Sequence, residues 1–171
     1  MKQKLSTLDL VILGLMGALL YLSQIILSPL PNIEVISFLI IVYTVKWKWK
    51  VFYPIYLFVM LQGITYGFGV WWWSYLYVWS LLALIVLLLG CRIHALGCAI
   101  LGGFFGLFFG ALTAIPYLFI GGPTMAFSWW ISGIPFDLVH CVGNAVVGLV
   151  LWNPISRIFR LPKIRYDSPV R

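Results

Sequence analysis

The chain has 171 residues, of which 63% are hydrophobic, 18% aromatic and only 9% charged. That balance leaves too little polar surface for a water-soluble domain of this size and points to one compact integral membrane bundle. The net charge of +7 is confined to one side of the predicted bundle, which argues against nucleic acid as the partner. No catalytic group, metal site or cofactor is expected. Cys91, Cys98 and Cys141 match no metal-ligand spacing, there are only two histidines, and the cysteines read as small buried apolar residues. No cleavable leader is expected either, because the first apolar run is long and no A-x-A site follows it.

Six membrane spans are predicted in chain order. Residues 8–28 match the roughly 20 residues a helix needs to cross a bilayer, and Ser28-Pro29-Leu30-Pro31-Asn32 ends that helix because proline lacks an amide hydrogen. Residues 33–45 form a short second span. Lys46-Trp47-Lys48-Trp49-Lys50, alternating charge and indole, suits a membrane–water interface. Residues 51–69 form the third span, Trp71-Trp72-Trp73-Ser74-Tyr75 an aromatic turn, and residues 75–90 the fourth span, ending at Gly90-Cys91-Arg92-Ile93-His94. The fifth covers 95–118, where Gly102, Gly106, Gly110 and Ala114 recur every four residues and allow close helix approach. Residues 119–153 would make a helix of about 52 Å, against a hydrocarbon core of about 30 Å. They are therefore read as a turn at Gly121-Gly122-Pro123-Thr124, an interfacial segment or lid over 125–132, and a sixth span over 135–153. That span has Pro135 at its first position and stops at Asn153-Pro154.

The charge distribution supports this division. All Lys and Arg lie in the segments before span one, between spans two and three, between spans four and five, and after span six. The three opposite loops hold none. By the positive-inside rule both termini are then cytoplasmic.

The polar residues at membrane depth are few. Asp137, His140 and Asn144 are spaced three and four apart and share one helical face. Such groups are costly in lipid and face a cavity or a protein neighbour. Glu34 and Asp137 each fall in the first turn of a predicted helix, where a carboxylate also complements the helix dipole. Gln24, Asn32, Gln62, Tyr66, Tyr75, Tyr77, Trp79, Tyr117, Trp129 and Trp130 gather in the same outer half of the bundle. An outward-facing pocket lined by aromatic rings and a few polar groups suits a small ring-shaped ligand. Catalysis lacks support: the Asp–His pair has no nucleophile in an elbow motif, and no phosphate-binding loop is present. Any ATP-driven step needs another subunit.

Six short spans, the small-residue spacing of Gly14 and Ala18 in the first, and Pro135-x-Asp137-x-x-His140-x-x-x-Asn144 in the sixth resemble a substrate-binding S component of an energy-coupling factor (ECF) vitamin transporter. The resemblance implies a vitamin-binding membrane subunit without catalysis of its own. It implies as partners a transmembrane coupling subunit and two cytosolic ATPases, in a prokaryotic plasma membrane. In that family a small-residue motif in the first helix contacts the coupling subunit, which implies such a role for Gly14, Gly17 and Ala18. The family site, formed by the first loop and spans four to six, implies Asn32, Glu34, Trp72, Tyr75, Tyr77, Tyr117 and the Asp137 stripe as ligand contacts.

The pocket residues include no Lys or Arg, so an anionic ligand finds no cationic partner and meets two carboxylates. The expected ligand is a neutral or cationic nitrogen heterocycle stacking on the Trp and Tyr rings, with N–H groups donating to Asp137 and Asn144. Two rivals remain at this level: a stand-alone transporter or channel using Asp137 and His140 as a proton relay, and an intramembrane enzyme.

Overall fold

The computed structural model describes residues 5–30, 33–159 and 161, and among these the fold is all-α. Helix α1, Thr7–Leu27, opens with a capping box: the Ser6 hydroxyl accepts the Asp9 amide while the Asp9 carboxylate accepts the Ser6 amide. Helix α2, Ile36–Trp47, is buried at every position from Ile36 to Val45. A helix apolar on all sides has no solvent or lipid face to offer, and α2 is the central rod of the core. A short 3-10 turn, Lys48–Val51, leads into α3, Phe52–Tyr66.

Gly67, at φ 86°, ends α3, and Gly69 precedes α4, Val70–Leu88. The expected aromatic turn at Trp71–Tyr75 is therefore corrected: those residues are the first turns of α4. The chain breaks at the glycines, which tolerate left-handed and extended backbone, and the indoles follow inside the helix. Helix α5 spans Ala95–Leu107, and α6 spans Phe109–Ile158 with a single non-helical residue, Gly122, at φ 75°.

Gly122 turns α6 into a hairpin. Three contact pairs fix this: an added Cβ on Gly102 would lie 3.5 Å from Asn144 Cβ, one on Gly106 would lie 2.8 Å from the His140 backbone, and one on Gly148 would lie 2.9 Å from Ala99 Cα. Positions rising on one arm meet positions falling on the other, so 95–121 and 123–158 run antiparallel. The expected turn at 121–124 is present. The expected sixth-span start at Pro135 is not, because residues 123–132 are helical and continuous with residues 133–158. Pro135 is tolerated inside a helix whose neighbouring arm packs close, and residues 125–132 are part of that helix. The helix also passes Asn153-Pro154 and runs to Ile158. A 36-residue arm of about 54 Å exceeds the bilayer core; the length limit that motivated the break applies to the buried part of a helix, not to the whole rod.

Thr7–Leu27, Val70–Leu88 and the hairpin Ala95–Ile158 are long and apolar enough to cross a membrane. The described basic residues gather at one end of the bundle. There Lys50 pairs with Asp9 at 3.1 Å, Cys91 reaches the Thr44 carbonyl, and Phe159 packs edge-on against Trp47. The described residues 28–30 and 33–35, and the turns at 67–69 and 121–123, lie at the other end.

Candidate functional site

The site grows from the start of α2. The turn after α1 brings Glu34 to the N-terminus of α2, where Oε2 accepts the Ser37 amide at 2.8 Å, one of the donors a helix leaves unsatisfied. The other oxygen, Oε1, lies 3.1 Å from His140 Nε2 on α6. Both side chains are buried, Glu34 at 8% and His140 at 3% exposure. With Glu34 ionised, the proton of that bond sits on Nε2. The remaining ring nitrogen, Nδ1, is buried without a hydrogen-bond partner. The pair ties α6 to α2 across 106 residues of sequence.

An aromatic wall surrounds it. Trp79 packs against Tyr75 with centroids 5.3 Å apart and against Phe109 at 5.6 Å, and Phe109 meets the His140 ring edge-on at 5.0 Å. Trp79 Nε1 is also buried without a partner. Together with Gln24, Ser28 and Ile33, these residues line a cavity of about 190 Å³ containing Glu34 and His140.

Asp137 lies one turn before His140 and serves a different helix end. The chain breaks between Leu107 and Phe109, which frees the Gly110 amide, and Asp137 Oδ1 accepts it at 2.9 Å. The expected place of Asp137 in the first turn of its own helix is thus corrected. It sits mid-arm and caps the restarted helix of the opposite arm. Its second oxygen, Oδ2, is buried without a partner. Asp137, Gly110, Thr113, Trp129, Ser132 and Phe136 line a second cavity of about 330 Å³, and Phe109 borders both cavities.

The other expected site residues divide. Glu34, Tyr75, Trp79 and His140 share the first cavity, whereas Asp137 and Trp129 share the second. Asn144 is buried and donates to the Gly102 carbonyl at 3.2 Å, lining neither. Trp72 donates Nε1–H to the Val59 carbonyl at 2.9 Å, joining α4 to α3. The Tyr77 hydroxyl donates to the Leu112 carbonyl at 2.6 Å. That carbonyl lost its helical donor because Pro116, four residues on, has no N–H. Tyr117 stacks on Trp129 at 4.2 Å across the hairpin. Asn32 lies outside the described residues.

Phe109 escaped the sequence reading. A phenylalanine within an apolar glycine-rich run carries no mark of a site, and only the helix break beside it would have drawn notice. Of the first-helix residues, Gly17 packs inward: an added Cβ would lie 2.7 Å from Leu57 Cδ2, whereas Gly14 has open space beside it. Ala18 is half-buried.

No family model, characterised protein or solved structure matches this chain.

Proposed function

We propose that this chain is a membrane-embedded binding protein for a small nitrogen heterocycle, acting as the substrate-binding S component of an ECF-type importer. The observation that carries this reading is the buried Glu34–His140 pair set in an aromatic cavity. Burying two ionisable groups in a low-dielectric interior costs several kcal/mol per ion, which an ordinary core has no reason to bear. Glu34 lies in the turn before α2, so the pair sits toward the end of the bundle opposite the described basic residues, the side from which a ligand would enter.

In this reading the chain crosses a prokaryotic plasma membrane six times, through α1, α2, α3, α4 and the two hairpin arms, with both termini cytoplasmic. The gathering of Lys46, Lys48, Lys50, Arg92 and Arg157 at one end supports that orientation. A coupling subunit and two cytosolic ATPases would supply the energy, and the chain itself would catalyse nothing. Trp79 and His140 line the cavity and carry a buried, unpartnered donor and acceptor, Nε1–H and Nδ1, which a heterocycle would engage, and the adjacent rings offer faces for stacking.

The buried acid–imidazole pair also favours a second reading, a stand-alone proton-coupled transporter. Native mass spectrometry of the purified chain should reveal a co-purifying nitrogen heterocycle, released by Glu34→Gln. Proton-dependent solute flux in liposomes containing this chain alone would overturn the binding-subunit reading in favour of the transporter.

A further inference from the structure

We infer that the two cavities are halves of one binding site, partitioned by the Phe109 ring, and that its ligand is two-ended: a heteroaromatic ring joined to a cationic amine or amidine group. The inference rests on the proposed binding function and names the ligand class of that same site.

Size is the first argument. Small-molecule pockets typically enclose about 300–1,000 Å³. The cavity at Glu34, about 190 Å³, is below that range, and the one at Asp137, about 330 Å³, is at its lower edge. Phe109 is a wall of both, so displacement of one ring joins them into a site of ordinary size. That ring packs against Trp79, Phe105 and His140, and its backbone is at a break in the arm. Phe109 opens the restarted helix beside the break at Phe108, a point where the hydrogen-bond ladder of the arm is already interrupted.

Chemistry assigns the ends. Glu34 has both oxygens engaged, by Ser37 and His140, and Trp79, on the wall of the cavity beside it, carries a buried donor without a partner. That half suits the ring, with a ring acceptor taking the indole N–H. Asp137 has one oxygen engaged by Gly110 and the other, Oδ2, buried and unpartnered. A buried carboxylate oxygen without a donor is costly, and a charged donor is its strongest partner. No lysine or arginine lines either cavity, so the charged donor we assign to Oδ2 is the ligand's own. Trp129 and Phe136, on the same wall, add ring faces to which a cation is attracted.

The test compares benzimidazole with 2-(2-aminoethyl)benzimidazole, by tryptophan fluorescence, on the full chain in detergent. The amine-bearing probe is expected to bind at least about tenfold more tightly, the contribution of one charge-assisted hydrogen bond. Asp137→Asn keeps an acceptor for the Gly110 amide, and it should bring that ratio close to one. Gly133→Leu provides a second variant, at a glycine that lines this half and whose added Cβ meets no atom within 4 Å. By filling the half at Asp137 it should also bring the ratio close to one. Equal affinities in the unaltered chain, or a tenfold ratio surviving both variants, overturns the two-ended site while leaving the binding function standing. If neither probe binds, the two-ended site falls, while the binding function stands or falls on the co-purified heterocycle.

Discussion

Two contacts in this molecule use the same small-residue spacing with opposite results. In the hairpin, Gly102, Gly106 and Gly110 face Asn144, His140 and Asp137, and Gly148 faces Ala99, so each missing side chain is occupied by an atom of the opposite arm. In α1, Gly14 and Ala18 repeat that four-residue spacing with Gly17 between them, yet Gly14 has open space beside it and Gly17 meets only the side chain of Leu57. At Gly106 and Gly148 the hairpin seam brings backbone against backbone, which cannot be relieved by a rotamer change, whereas Gly110 meets the Asp137 carboxylate and Gly102 the Asn144 Cβ. The α1 contact brings backbone against a side chain that can move. Spacing alone shows that two surfaces can approach closely; what fills the space decides the energy.

The largest expected effect breaks the seam. Gly106→Leu places a side chain on the His140 backbone, where the first added atom would already lie 2.8 Å from the carbonyl carbon. Overpacking against atoms that cannot shift costs at least about 3 kcal/mol. Thermal unfolding in detergent should show either a large drop in midpoint or no folded protein. Gly17→Ala, by contrast, needs only a shift of Leu57 and should cost about 1 kcal/mol or less. Equal losses at the two glycines would refute the distinction.

The next effect concerns what ties the hairpin to the core. Glu34→Ala removes the α2 cap and leaves His140 buried with no partner on either nitrogen. Breaking a buried pair from one side costs about 3 kcal/mol. Glu34→Gln keeps a carbonyl oxygen for one of the two donors and should cost about 1 kcal/mol. Unfolding by denaturant in mixed micelles would rank the three proteins; a loss for alanine no greater than for glutamine would show that the pair does not bind α6 to α2.

A smaller effect probes α4 against the first hairpin arm. Tyr77→Phe leaves the Leu112 carbonyl without the donor that Pro116 already denies it. An orphaned carbonyl partly within the protein costs about 1–2 kcal/mol. The same unfolding measurement checks this, and Pro116→Ala in the Tyr77→Phe background should recover part of the loss by restoring a helical N–H.

These regions also show how far the residues could be read. The all-helical bundle was legible in composition and the length of the apolar runs, and the hairpin turn in Gly121-Gly122-Pro123. The glycine stripe and the polar stripe were each visible as a period of three to four. Their mutual contact was not, because periodicity shows a face without showing what it meets. The pairing of Glu34 with His140 spans 106 residues and leaves no local trace. Pro135 misled because proline marks helix starts in water, whereas a closely packed membrane arm carries it through. The Trp71–Tyr75 run misled because indoles suggest an interface, while the backbone turns at Gly67 and Gly69.

The smallest expected effect on stability has the most to say about the α1 side. Leu15 and Leu19 on the same helix are exposed, at 65% and 46%, so the open space beside Gly14 lies on a surface this chain leaves uncovered. Gly14→Leu together with Ala18→Leu adds side chains at one open and one half-buried position, and the unfolding midpoint should change by no more than about 0.5 kcal/mol equivalent. In lipid, small residues permit close van der Waals approach of a second helix where hydrophobicity gives no drive. If α1 is the face that meets a coupling subunit, the double variant should still bind its heterocycle in detergent while failing to co-purify with that subunit and losing uptake in cells. Uptake at the unaltered rate would assign Gly14 and Ala18 to lipid contact, leaving the hairpin seam as the place where this spacing brings two helices together among the described residues.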